Sequence, residues 1–132
     1  MAEPQNSHAE RFESKYDFKQ TLSALSETLK SKGMTIFAEI DHQAAAKAAG
    51  LTMQPATVLV YGTPKAGTPL MVKDPSLALQ LPLKVLVTET EGKVEVLLNT
   101  AEQVVARSQT PYADVENSLA KAEKLIKATV AK

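Results

Sequence analysis

The feature that most constrains the fold is a change of hydrophobic period at Gly33. The apolar residues before it have the four, three and four spacing of one helix face: Phe18, Leu22, Leu25 and Leu29. Those after it alternate with other residues, as they do in a strand: Met34, Ile36, Ala38 and Ile40. Gly33 itself is suited to end the helix as a C-terminal cap. The pattern predicts a helix that turns directly into a strand of the same folding unit.

Further capping residues and turns divide the rest of the chain into short elements. Residues 57–61 read as a buried strand, and strand-like runs at 83–90 and 93–98 flank the turn Glu91-Gly92, which predicts a hairpin. Helices are predicted to begin after Asp17, Asp41, Thr63, Asp74, Asn99 or Thr100, and Thr110. This order favours an α+β fold, a mostly antiparallel sheet of four to five strands with helices packed on one face. We predict a flexible tail at 1–8 and a single domain at 9–132.

The second face of the predicted sheet also needs a cover. Around Phe37 and around Leu59, apolar residues point to both sides of strands that we expect to be central. Helices on one face leave the other face open to solvent. We therefore predict that a second copy of the chain covers it, giving a homodimer.

Composition excludes several classes of function. Fifteen basic residues balance fifteen acidic ones, so no net field draws the chain to nucleic acid. Cysteine is absent, which rules out disulfides and thiolate metal sites, and we expect no metal. No apolar run approaches the ~20 residues that a membrane helix needs, so we expect no membrane insertion. The start Ala2-Glu3-Pro4-Gln5 suits a chain exposed by signal cleavage and predicts export to the periplasm; an ordinary polar tail on a cytoplasmic protein looks the same.

The central block of the chain resembles the bacterial family called domain of unknown function 302. The resemblance rests on Ile40-Asp41-His42, on the run from Val60 to Met71 and on Leu81-Pro82-Leu83-Lys84, in this order and spacing. It implies a curved antiparallel sheet similar to the TATA-binding-protein architecture, often dimeric, and it implies no function. The chain departs from the family pattern at three positions: Thr63, Gln80 and Ser108.

Asp41 and His42 form the first group of candidate site residues. They lie where a strand meets a helix, and His42 can act as a general base or as a ligand to haem. The alternative is a histidine that only caps the local backbone. The sequence assigns no cofactor, which stays unknown.

The run from Gly62 to Thr68 and the more distant Lys84 form the second group. Gly62, Thr63, Lys65, Gly67 and Thr68 superficially resemble a phosphate loop, but the lysine that should follow the second glycine is missing. A helix start near Thr63 and Lys65 can still hold one anion. A purely structural turn, in which the glycines supply unusual backbone angles, is the alternative. Lys84 either meets a ligand or is a solvated charge on a strand.

These candidates favour a homodimeric module that binds a small anionic or apolar ligand, haem included, in one pocket near His42, the run from Gly62 to Thr68 and Lys84. An enzyme that uses Asp41 and His42 for proton transfer, with Lys65 or Lys84 stabilising an anion, is one alternative. A protein-interaction adaptor is another. The sequence contains few side chains suited to catalysis, which argues against the enzyme.

Overall fold

Five strands form one antiparallel sheet in the computed structural model, which describes residues 9–132. The sheet order is β1-β5-β4-β3-β2. The strands are β1 (Glu10–Glu13), β2 (Thr35–Asp41), β3 (Ala56–Gly62), β4 (Leu83–Thr90) and β5 (Lys93–Leu98). The helices are α1 (Phe18–Ser31), α2 (His42–Ala48), α3 (Pro64–Lys73), α4 (Ala101–Ala106) and α5 (Leu119–Val130), and 3-10 turns lie at Pro75–Leu79 and Tyr112–Asp114. The predicted tail at 1–8 lies outside the described residues.

The α+β class and the antiparallel sheet with packed helices are confirmed, and the order of elements follows the prediction. The likeness to the TATA-binding-protein architecture and the single-domain assignment stay predictions. The last helix begins later than we predicted, at Leu119 instead of after Thr110. The Thr110 hydroxyl donates a hydrogen bond to the Asp74 carboxylate (2.7 Å). Since its side chain is held there, it does not cap a helix at Pro111.

Strand β2 lies at the edge of the sheet, so the prediction that it is central was wrong. It pairs with β3, while β1 pairs with β5 and closes the opposite edge. The register of β2 shifts between Ile36 and Ala38, which makes Phe37 the extra residue of a β-bulge. Bulges of this kind disturb an edge strand and discourage uncontrolled strand addition.

The core lies on one face of the sheet, under α1, α4 and α5. Its most deeply buried strand residues are all 0 % exposed: Leu59, Val85, Val87 and Val96. Leu25 and Leu29 of α1 and Ile126 of α5 pack in the same cluster. We call this the covered face. Antiparallel partners share a face of the sheet, and the register therefore places a second apolar set on the other side, the open face: Ala38, Ile40, Val58, Val60, Leu86 and Leu97.

No helix in the part of the chain that the structure describes is long and apolar enough to cross a membrane.

Candidate functional site

The predicted site residues lie at two opposite ends of the sheet. In the register of β2 with β3, Thr35 pairs with Gly62 and Asp41 pairs with Thr57. At the usual rise per residue, β2 separates these ends by about 20 Å. The structure therefore does not bring Asp41 and His42 together with the segment from Gly62 to Thr68.

At the first end, Asp41 serves as the N-cap of α2. Its Oδ1 accepts a hydrogen bond from the backbone N–H of Ala44 (2.9 Å), and the exposed His42 is the first residue of the helix. Asp41 lies on the face of its partner Thr57, whereas Lys84 lies on the opposite face, opposite Val60. The arrangement therefore places neither Lys65, at the start of α3, nor Lys84 beside the Asp41-His42 pair. Within residues 9–132, no group of three or more histidine, aspartate or glutamate side chains is placed to hold a metal ion.

At the second end, the start of α3 forms a closed turn and leaves little room for a phosphate cradle. The Thr63 carbonyl accepts hydrogen bonds from the N–H groups of both Ala66 and Gly67 (2.9 Å each). Pro64 has no N–H, so Lys65 alone keeps a backbone donor for an anion in this first turn. The Thr63 side chain makes no capping hydrogen bond. The start of α3 therefore offers too few backbone donors to hold an anion well.

A small apolar cavity of ≈ 260 Å³ lies beside this turn, between α3 and the adjoining ends of β3 and β4. Four of the predicted residues line it: Gly62, Thr63, Gly67 and Thr68. Sequence reasoning missed the apolar part of the wall: Phe37, Met71, Leu81, Pro82, Leu83 and Leu119. The hydrophobic periodicity of these residues assigns them to the core, and only the packing shows that they surround free space.

The two glycines of the cavity wall provide room for it. A Cβ atom at Gly67 would lie 3.6 Å from Leu81 Cδ1 and 3.8 Å from Met71 Cε. At Gly62 it would lie 3.5 Å from Phe37 Cε2. These are ordinary van der Waals distances, and neither glycine has a positive φ. The expectation of unusual backbone angles at Gly62 and Gly67 was therefore wrong, and side chains added here would enter the cavity.

A second cavity of ≈ 440 Å³ continues the first toward α1 and α5. The two share the wall residues Gly62, Thr63, Leu83 and Leu119, so together they form one apolar groove. The second cavity adds Met34 and Leu125 to the apolar wall, and Lys32 and Lys121 bring positive charge to it. The groove thus combines an apolar interior with cations in one part of its wall.

Two titratable groups near this end of the sheet are shifted by burial. Burial raises the pKa of the Tyr61 phenol, with a smaller contribution from the charge of Glu123, so Tyr61 stays neutral at physiological pH. Burial also raises the pKa of Glu123, whose Oε1 accepts a hydrogen bond from the Ala101 N–H (3.2 Å) at the start of α4. Neither residue lines the groove.

Comparison with known proteins identifies the family. Residues 10–131 match the family described as Domain of unknown function DUF302. The chain belongs to the DUF302 family. Its fold is similar to the crystal structure of an uncharacterized conserved DUF302 protein from Bacillus stearothermophilus, with a TM-score of 0.77. That similarity covers 90 % of this chain and 98 % of the other at 18 % identity, and at this identity it shows the fold alone.

Relatives of this DUF302 chain also occur as parts of longer proteins. It is 36 % identical over 88 residues to "Fluoride-specific ion channel FluC 1" of Brucella suis biovar 1 (strain 1330), and equally to the protein of that name of Brucella abortus biovar 1 (strain 9-941). The match covers 66 % of this chain but only 35 % and 33 % of those relatives. The DUF302 chain thus spans about a third of their length, and the channel name describes the whole of those proteins.

Proposed function

We propose that this DUF302 protein is a homodimeric binding module that holds a small amphiphile, with an apolar body and an anionic end, in the apolar groove. The observation that carries the proposal is the pair of joined cavities of ≈ 260 and ≈ 440 Å³. Small-molecule sites are mostly apolar clefts of about this size with a few polar groups. Lys32 and Lys121 in the second cavity supply positive charge for an anionic end.

The geometry favours an apolar ligand over a phosphate or haem. The closed turn at Thr63 leaves one backbone donor for an anion, so charge recognition falls to the lysine side chains. His42, the histidine among residues 9–132, lies at the far end of the sheet and takes no part in the groove wall. Haem held through this histidine and the groove together is therefore not part of the proposal.

Filling the groove tests the proposal directly. Octanoate is the probe, because it has an apolar chain and one carboxylate, and its binding is measured by isothermal titration calorimetry. Gly67→Leu places three carbon atoms beyond a Cβ that already contacts Leu81 and Met71, so octanoate binding should be lost. Lys65→Leu is the matched control, since Lys65 is exposed on the same helix and does not line the groove. Equal affinity in Gly67→Leu and the control would refute the groove as the site.

A second measurement assigns the anionic end. Replacing Lys32 and Lys121 by glutamine together should weaken octanoate binding while binding of the neutral octanol is unchanged. The reason is that only octanoate carries a charge for the lysines to neutralise. If both probes lose affinity equally, the lysines shape the groove and do not recognise charge.

The open face carries the homodimer part of the proposal. On this face, Ile40 of the edge strand β2 is 44 % exposed. Two adjoining rows of the face are mostly apolar: Ala38 with Val60, and Ile40 with Val58 and Leu86; Lys84 lies beside Val60 at the end of the first row. In a twofold dimer a patch meets its own copy, so these apolar side chains can pack against their counterparts, with Lys84 at the margin of the contact. With fifteen acidic and fifteen basic residues, two copies also do not repel each other as wholes.

Analytical ultracentrifugation tests the dimer. The wild-type chain should sediment as a dimer at micromolar concentration, and Ile40→Lys should sediment as a monomer because it buries a charge in the interface. Val72→Lys is the control, since Val72 is 77 % exposed on α3 and is not one of the strand residues that form the open face. A monomeric wild-type chain would contradict the dimer and favour the adaptor alternative, in which a different protein covers the face.

A further inference from the structure

A second concave site shares the wall residues Pro82 and Leu83 with the groove and is otherwise lined by different residues. It has a volume of ≈ 280 Å³ and lies where β4 begins and α4 ends. Its polar side chains are Gln80, Lys84, Asn99, Gln103 and Arg107. We call it the basic pocket. Lys84 belongs to the motif Leu81-Pro82-Leu83-Lys84 on which the family resemblance rests, and the groove makes no use of that lysine.

Among residues 9–132, the two cations of the basic pocket form no ion pair. Among the described residues, none of those lining the pocket is acidic. The described ion pairs instead use four other cations: Arg11, Lys73, Lys127 and Lys132. In a chain with equal numbers of acidic and basic residues, two unpaired cations in one concave site concentrate positive charge locally.

Secondary structure fixes the backbone that carries the two cations. Lys84 lies on β4 between two paired strands, directly opposite Val60 of β3. Arg107 is the C-terminal cap of α4, and this helix is fixed at its start by a capping box between Thr100 and Gln103. Arginine presents a planar fork of donors that matches oxyanions, and lysine adds a point charge. The side-chain amides of Gln80 and Asn99 can supply further donors.

We propose that the basic pocket binds a small oxyanion, such as phosphate or the phosphate group of a larger ligand, through Lys84 and Arg107. The site is distinct from the groove because none of its polar side chains lines the groove, although Pro82 and Leu83 line both. Both cations are exposed, so solvent weakens their attraction. We expect a dissociation constant of about 1 mM for inorganic phosphate, typical of a weak solvent-facing site.

Titration of the full chain with inorganic phosphate at constant ionic strength tests the site. Amide NMR shifts should saturate for residues around Lys84, Asn99 and Arg107. Lys84→Gln and Arg107→Gln should each weaken binding about tenfold, because each removes a charge-assisted contact. Lys47→Gln and Lys93→Gln remove the same charge from exposed positions outside the pocket and should leave the affinity unchanged. Thermal melts confirm that all four variants stay folded.

Three outcomes would overturn the inference. They are shifts that never saturate, shifts that fall outside the pocket, and equal weakening in the pocket and control variants, which would indicate only general screening of charge. Arg107→Lys sharpens the test, since it keeps the charge but loses the planar fork and should retain only part of the affinity. Gly67→Leu should bind phosphate with unchanged affinity. Failure of the groove proposal and failure of the basic-pocket proposal can therefore be told apart.

Discussion

The two faces of the sheet differ in how their apolar side chains are covered. On the covered face, Leu59 and Val85 are 0 % exposed and pack against helices. On the open face, their sequence neighbours Val58 and Leu86 are equally apolar but only half-buried. The same two strands thus supply both sets. The fold of one chain therefore covers only one of the two apolar faces that its strands provide.

The two faces should therefore control different properties, the stability of the monomer and its association with a partner. Burial of apolar area within the chain is concentrated on the covered face, so that face should control the free energy of unfolding of the monomer. The open face retains apolar area that only a partner can bury.

Truncating one leucine on each face is the strongest test. Leu59→Ala should lower the free energy of unfolding by about 2–5 kcal/mol, because it leaves a cavity in a packed core. Leu86→Ala removes the same atoms from a half-buried site, and its cost should be below about 1.5 kcal/mol. Chemical denaturation at a concentration where the chain is monomeric measures both. Similar losses at the two positions would show that the open face is covered within the chain.

Removing the N-cap side chain of α4 and that of α2 should change the free energy of unfolding less than the leucine truncations do, and by different amounts. Thr100 caps α4 on the covered side, with a hydrogen bond from the Gln103 N–H to its hydroxyl (3.2 Å). Asp41 caps α2, which has no buried residue. Thr100→Ala should lower the global free energy of unfolding by about 1 kcal/mol.

Asp41→Ala should act on α2 locally, because a helix with no buried residue can open without the core. Amide hydrogen exchange should show faster exchange in α2 and little change in β4. Global destabilisation by Asp41→Ala that matches the effect of Thr100→Ala would mean that α2 unfolds together with the core.

Asp74 should make stability fall in acid. Hydrogen bonds from the hydroxyls of Ser76 (2.6 Å) and Thr110 (2.7 Å) hold its pKa below the usual 3.8. Because the folded pKa is depressed, this contribution is present above about pH 3.8 and is lost as the pH falls through the folded pKa. Asp74→Asn should be less stable than wild type at neutral pH, and the difference should shrink in acid. Denaturation curves over this range measure it; a difference independent of pH would contradict the assignment.

Glu123 should give the smallest effect, with the opposite sign. Burial raises its pKa above 4.5, so the folded state resists ionisation more than the unfolded state does. The resulting loss of folding stability is absent in acid, appears as the pH rises through 4.5 and is complete above the folded pKa. Glu123→Gln keeps an oxygen for the Ala101 N–H and should be slightly more stable than wild type at neutral pH. The exposed Glu116→Gln is the control and should show no such gain.

Local patterns in the sequence were enough to predict most elements. The helix stripe before Gly33, the alternation after it and the hairpin at Glu91-Gly92 depend on neighbours a few residues apart, and each is confirmed. The glycines at 33, 50 and 92 have positive φ, as their places after helices and in a turn require. Family membership also followed from the sequence, because its motifs are runs of adjacent residues.

The tertiary structure decided where those elements lie and which residues meet. Sequence could not show that β2 is an edge strand, because sheet order depends on how β1 returns to pair with β5. Sequence reasoning also grouped Asp41 and His42 with Gly62 as one site, although β2 holds them at opposite ends of the sheet. It also could not reveal the groove or the basic pocket, whose walls combine residues from distant segments. Periodicity determines which face of an element is apolar, whereas only packing determines whether that face meets a helix, an empty space or solvent.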